Sequence, residues 1–96
     1  MNSNATLECL RAHKAKLAER FGVTGLALFG SAARGDDGPD SDVDLLVSFD
    51  GPATSERYFG VLFYLEDLLG RRVDLVTSKA LRPELRPRIE KEARRV

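Results

Sequence analysis

Residues 28–47 read LFGSAARGDDGPDSDVDLLV. An apolar run ends at Leu28-Phe29 and turns on Gly30-Ser31. A loop rich in Gly, Pro, Asp and Ser follows. A second apolar run then opens at Val43, with Asp42 and Asp44 one residue apart at its start. This pattern predicts two strands joined by a turn and a loop. A glycine at a strand end lets backbone approach an anion closely, and the N–H groups of the following turn point at it. Two carboxylates on one face of a strand are ligands for a hard cation. The stretch therefore reads as a phosphate cradle followed by a metal site.

Working outward, residues 5–21 predict an amphipathic helix capped by Asn4, with Leu7, Leu10, Leu17 and Phe21 on one face and Gly22 as its stop. Val23–Phe29 is a short, buried strand. Ser31–Arg34 is a helical turn, and Gly35–Asp40 is the loop, where Asp-Gly-Pro is strong turn chemistry. The second strand covers Asp42–Phe49, with Asp42, Asp44 and Leu46 on one face and Val43, Leu45 and Val47 on the other. Thr54 or Ser55 caps a helix to Leu69 that stops at Gly70. That helix carries too many apolar residues for one stripe, which predicts cover on two sides. Val73–Thr77 is a third strand. Residues 79–82 form a turn, and a last helix runs from Glu84 or Pro87 to about Arg94, with Leu81, Leu85, Ile89 and Ala93 as its apolar stripe.

The order α-β-turn-β-α-β-α is that of an α/β chain. Its β-α-β portion predicts a right-handed crossover between parallel strands. Parallel neighbours align their starts, so Asp74 should stand beside Asp42 and Asp44.

The chain has 96 residues, 43% hydrophobic and 31% charged, with zero net charge. These are the proportions of one small globular domain spanning 1–96. No apolar run approaches a membrane span and no signal segment opens the chain, so a cytoplasmic protein without a membrane partner is expected. Cys9 is the sole cysteine and reads as a core or boundary residue. His13 has no Cys or His partner nearby in sequence and reads as a surface residue. Charge is segregated. Residues 36–50 hold six aspartates and no base, whereas residues 79–96 hold seven Lys/Arg against three Glu. The acidic block repels itself unless a cation binds.

Asp-x-Asp on a strand sets two carboxylates about 7 Å apart at Cα. Magnesium takes such oxygens and completes its octahedron with triphosphate oxygens. A third carboxylate at Asp74 allows a second ion or a base for an attacking hydroxyl. Gly30 and Ser31 supply phosphate donors, and Arg34 and Ser41 are further candidates. Each piece alone is commonly structural. Together they favour chemistry, because side-by-side carboxylates on an otherwise apolar strand are costly without a cation.

Gly30-Ser31, ten residues, then Asp42-Val43-Asp44 resembles the signature of the polymerase-beta-like nucleotidyltransferases. The run GSAARGDDGPDSDVDLLVSF and the later LLGRRVDLVTSKALRPELRPRIEKEARRV are similar to the minimal nucleotidyltransferases, or MNT proteins. The resemblance implies a small mixed sheet of three or four strands flanked by helices. It implies Mg²⁺-dependent transfer, with two ions, of a nucleoside monophosphate from a triphosphate such as ATP to a hydroxyl. Gly30 and Ser31 would meet the triphosphate, Asp42 and Asp44 the metals, and Asp74 would be third carboxylate and activator. Larger members add an acceptor-binding domain, for which these 96 residues leave no room. Members of this size resemble antitoxins whose partner is a HEPN-type toxin adenylylated on tyrosine. The alternatives are a module that neutralises its partner by binding alone, and transfer to a small molecule or RNA. Nucleic acid is not expected as a direct ligand. The apolar coat of residues 58–69 also makes a homo-oligomer plausible.

Overall fold

The computed structural model describes residues 3–35, 38 and 41–96. The elements are α1 (Ser3–Phe21), β1 (Val23–Phe29), α2 (Gly30–Arg34), β2 (Val43–Phe49), α3 (Ser55–Leu69), β3 (Val73–Thr77), α4 (Arg86–Glu92) and β4 (Arg94–Arg95). They form a mixed four-stranded sheet in the order β3-β2-β1-β4. The expected Asp-Gly-Pro turn, and Asp36, Asp37 and Asp40 of the acidic block, lie outside the described residues.

The boundaries follow local chemistry. Gly22 (φ +73°) ends α1 and donates its N–H to the Ala18 carbonyl at 3.0 Å. Thr54 Oγ1 accepts from the Arg57 N–H at 3.2 Å and so caps α3. Gly70 (φ +63°) closes α3 through a 2.9 Å bond to the Glu66 carbonyl.

The core lies between the sheet and the helices α1 and α3. Leu7, Leu10 and Leu17 of α1 and Val61 and Leu65 of α3 are at most 1% exposed, as are Leu28, Val43, Leu45 and Val47 of the sheet. The alternation predicted for β2 is therefore observed, with Val43, Leu45 and Val47 inward and Asp44 and Leu46 on the open face. Phe21 lies against Gly60 where α1 meets α3, so a side chain at Gly60 would collide with the ring. His13 is half-buried and shares a 2.6 Å hydrogen bond with the Tyr64 hydroxyl between the same helices. It is thus structural rather than a plain surface residue. Cys9 packs half-buried against the core.

Three of the expected local features differ in the structure. Asn4 does not cap α1, because the helix already includes Ser3. The Asn4 amide oxygen instead accepts from Arg94 at 3.0 Å. Asp42 stands just before β2 rather than inside it. The last helix is shorter than expected: Pro87 sits in its first turn and Ala93 turns to extended backbone. The chain then forms β4 against β1, pairing Ala27 with Arg95 and Leu28 with Arg94. The expected two-sided cover of α3 is observed, by the sheet and by α1, and it leaves Phe59 and Phe63 facing outward at 48% and 61% exposure.

Candidate active site

Two ladders position the site. In the antiparallel β1–β2 pair, Phe29 lies opposite Asp44. In the parallel β2–β3 pair, Val43 aligns with Val73 and Asp44 with Asp74. The end of β1, the start of β2 and the start of β3 therefore meet at one place.

Gly30 is the next residue after Phe29 and has φ +69°. A β-carbon there would run into Asp44 Oδ2 and lie 3.1 Å from Asp44 Cγ. Glycine is required twice over, for the left-handed backbone and for the space the carboxylate fills. Ser31 follows, half-buried at the opening of α2. Ala32 and Ala33 are buried, and their small side chains let this short helix sit close to the sheet.

Asp44 and Asp74, paired across the parallel ladder, bring their carboxyls within reach of one another. The Asp44 carboxyl is pushed from its ordinary 3.8 up to about 6. Partial burial is the largest cause, followed by the Asp74 charge, the hydrogen bond to Asp74 and the Asp42 charge; Arg34 opposes them. Such a carboxyl sits in a locally acidic, partly dehydrated spot that a cation or a proton relieves.

The other expected residues lie around this pair with different partners. Asp42 is exposed, and its Oδ1 stands 3.3 Å from Arg72 Nε. Its charge is felt at Asp44, but among the described residues no three His, Cys, Asp or Glu side chains are already gathered as a metal cage. Arg34 closes α2 and pairs with Glu92 of α4 at 3.4 Å. Ser41 Oγ accepts the Gly38 N–H at 3.1 Å, and the Ser41 carbonyl accepts from Arg71 at 2.6 Å. That hydroxyl orders the approach to β2.

Sequence reasoning did not find the cleft beyond the carboxylates on the open face. Its volume is about 660 Å³, and its lining includes Leu46, Ser48, Ser78, Arg86, Glu90 and Arg95. Ser48 donates to Ser78 across its floor at 3.0 Å, and Arg86 holds the Ser78 carbonyl at 2.9 Å. The seven Lys and Arg after Ser78 are plain in the sequence, but nothing local indicates that α4 and β4 wall a cavity.

A nucleotidyltransferase domain model matches residues 10–96. The chain belongs to this family. The protein adenylyltransferase MntA of Thermococcus cleftensis is 48% identical over 73 residues, covering 76% of this nucleotidyltransferase and 74% of the relative. A solved candidate minimal nucleotidyltransferase superposes with a TM-score of 0.82 at 39% identity, covering 98% of this chain and 95% of the other. The fold alone is shared with a structure of a tri-AMPylated Shewanella oneidensis HEPN toxin in complex with an MNT antitoxin, at a TM-score of 0.61 and 19% identity, covering 98% and 67% of the two chains. The sequence resemblance to minimal nucleotidyltransferases, and the small mixed sheet it implied, are thereby established for this enzyme.

Proposed function

We propose that this nucleotidyltransferase moves AMP from ATP to a tyrosine hydroxyl of a HEPN-type toxin, as the antitoxin of a two-gene module in the cytoplasm. The observation that carries the chemistry is the meeting of Gly30, Asp44 and Asp74 at one end of the sheet. The choice of AMP and of a protein acceptor is supported by the names of the relatives above. A divalent cation fits the donor set: all oxygen, hard, with one carboxyl raised to about 6 by partial burial and by the neighbouring acids. Asp44 and Asp74 would hold it, with Asp42 joining by leaving Arg72. The expected metal is Mg²⁺, two ions in all, which when bound supplies positive charge against the triphosphate oxygens.

The residues of the chain account for the rest. The Gly30 backbone and Ser31 hold the triphosphate, and Arg34, at the end of the same short helix, adds positive charge. Ser41 contributes by fixing the chain before Asp42. Asp74, exposed at the start of β3, accepts the proton of the acceptor hydroxyl. The acceptor oxygen bonds to the α-phosphorus, the bond from that phosphorus to the bridging oxygen breaks, and pyrophosphate leaves. The cleft beyond Leu46 has the volume usual for a small-ligand site and lies along the same face.

The test uses purified chain, Mg²⁺, ATP labelled in its α-phosphate and the HEPN-domain partner. Wild type should label the partner, while Asp42→Asn, Asp44→Asn and Asp74→Asn should lower labelling by at least a hundredfold. Undiminished labelling by Asp44→Asn would remove the site. Neutralisation of the toxin in cells by all three variants would favour binding over catalysis.

A further inference from the structure

Outside the catalytic face, α3 presents a second feature. Glu56, Phe59, Phe63 and Asp67 follow one another at spacings of three, four and four, and all four are exposed. They lie opposite Val61, Leu65 and Leu69, which face the core. The Phe59 and Phe63 rings stack at 6.0 Å, and Tyr58 meets Phe59 edge-on at 5.1 Å. Two large aromatic rings side by side on a helix surface, with polar residues at both ends, have the form of a helix-in-groove contact.

The ends of the stripe say what covers it. Both are acidic. If two copies paired along α3 in antiparallel fashion, Glu56 would face Asp67 of the other copy. In parallel fashion, Glu56 would face Glu56 and Asp67 would face Asp67. Either arrangement sets acid against acid beside a desolvated contact. The only base within α3, Arg57, is turned elsewhere and held by Asp50 at 2.8 Å. Self-association through this face is therefore opposed by charge, and a basic-rimmed apolar groove is complementary to it.

We propose that the Glu56–Phe59–Phe63–Asp67 stripe is a docking surface for a partner protein that offers an apolar groove rimmed by Lys or Arg. The stripe and the Asp44–Asp74 pair lie on opposite sides of the sheet. Grip on the partner and transfer to it are therefore separable functions of one small domain. Identifying that partner with the acceptor rests on the transferase reading above; the surface itself does not.

The experiment measures binding of the HEPN-domain partner to wild type, to Phe59→Ser/Phe63→Ser and to Glu56→Lys/Asp67→Lys. Circular dichroism and Mg²⁺–ATP binding verify that each variant is folded with an intact catalytic face. Each double variant should bind at least tenfold more weakly, and the loss from charge reversal should shrink at high salt. Wild type alone should run as a monomer. Wild-type-like binding by both variants would overturn the proposal, as would a self-dimer that the serine variant dissolves or a partner that does not bind wild type. Failure of the transferase reading gives a different result: normal binding with no label on the partner.

Discussion

Asp44→Asn should stabilise the metal-free protein while abolishing transfer. The wild-type carboxyl keeps its proton up to about 6 when folded but releases it near 3.8 when unfolded. The folded chain thus binds more protons across that window, and this group's contribution to stability falls as pH rises from about 4 through 6. Between those two titration points the ceiling on the loss is about 3 kcal/mol, at about 1.4 kcal/mol per pH unit. Asp44 is only half-buried, and water screens its repulsion from Asp74 and Asp42, so about 1 kcal/mol is the effect to expect. Asparagine removes the charge and can donate to Asp74. In a domain of this size that is a rise in Tm of about 4–8 °C. The assay is thermal unfolding in EDTA at pH 7.5 and at pH 4. The gain should be present at pH 7.5 and absent at pH 4, and added Mg²⁺ should stabilise wild type far more than the variant. A variant less stable than wild type at pH 7.5, or equally stabilised at both pH values, refutes the reasoning.

Gly30→Ala should cost about 1–3 kcal/mol from the left-handed backbone alone, and more because its methyl group meets the Asp44 carboxylate; chemical denaturation and Mg²⁺–ATP binding should both report the loss. Thr54→Ala removes the α3 cap and should cost about 1 kcal/mol in denaturant unfolding, with transfer unchanged in the folded protein.

Punctuation made much of the fold legible. The bounds of β1, α3 and β3 follow from Gly22, Thr54, Gly70 and the β-rich run Val73–Thr77. The pairing of Asp44 with Asp74 follows from a rule about parallel strands rather than from any local signal. What escaped had no local signal to give. β4 is two arginines whose strand character comes entirely from the exposed edge of β1, and the wall of the cleft depends on where α4 returns. Alternation puts Asp42 in the strand. The ladder begins one residue later, when the Val43 N–H bonds the Arg72 carbonyl at 2.9 Å, and this leaves Asp42 free to turn to Arg72. Asn4 has the residue type of a cap, but its partner, Arg94, is ninety positions away.

The cross-strand pairing of Phe29 with Asp44 sets where Gly30 meets the carboxylate. The ten residues between Ser31 and Asp42 look in sequence like a ruler that sets the distance from glycine to carboxylate. In the fold that distance is set by the β1–β2 hydrogen-bond ladder, while Ala32 and Ala33 seat α2 against the sheet and Ser41 leads into β2. The register of the two strands, not the number of residues between Ser31 and Asp42, therefore keeps glycine and carboxylate together.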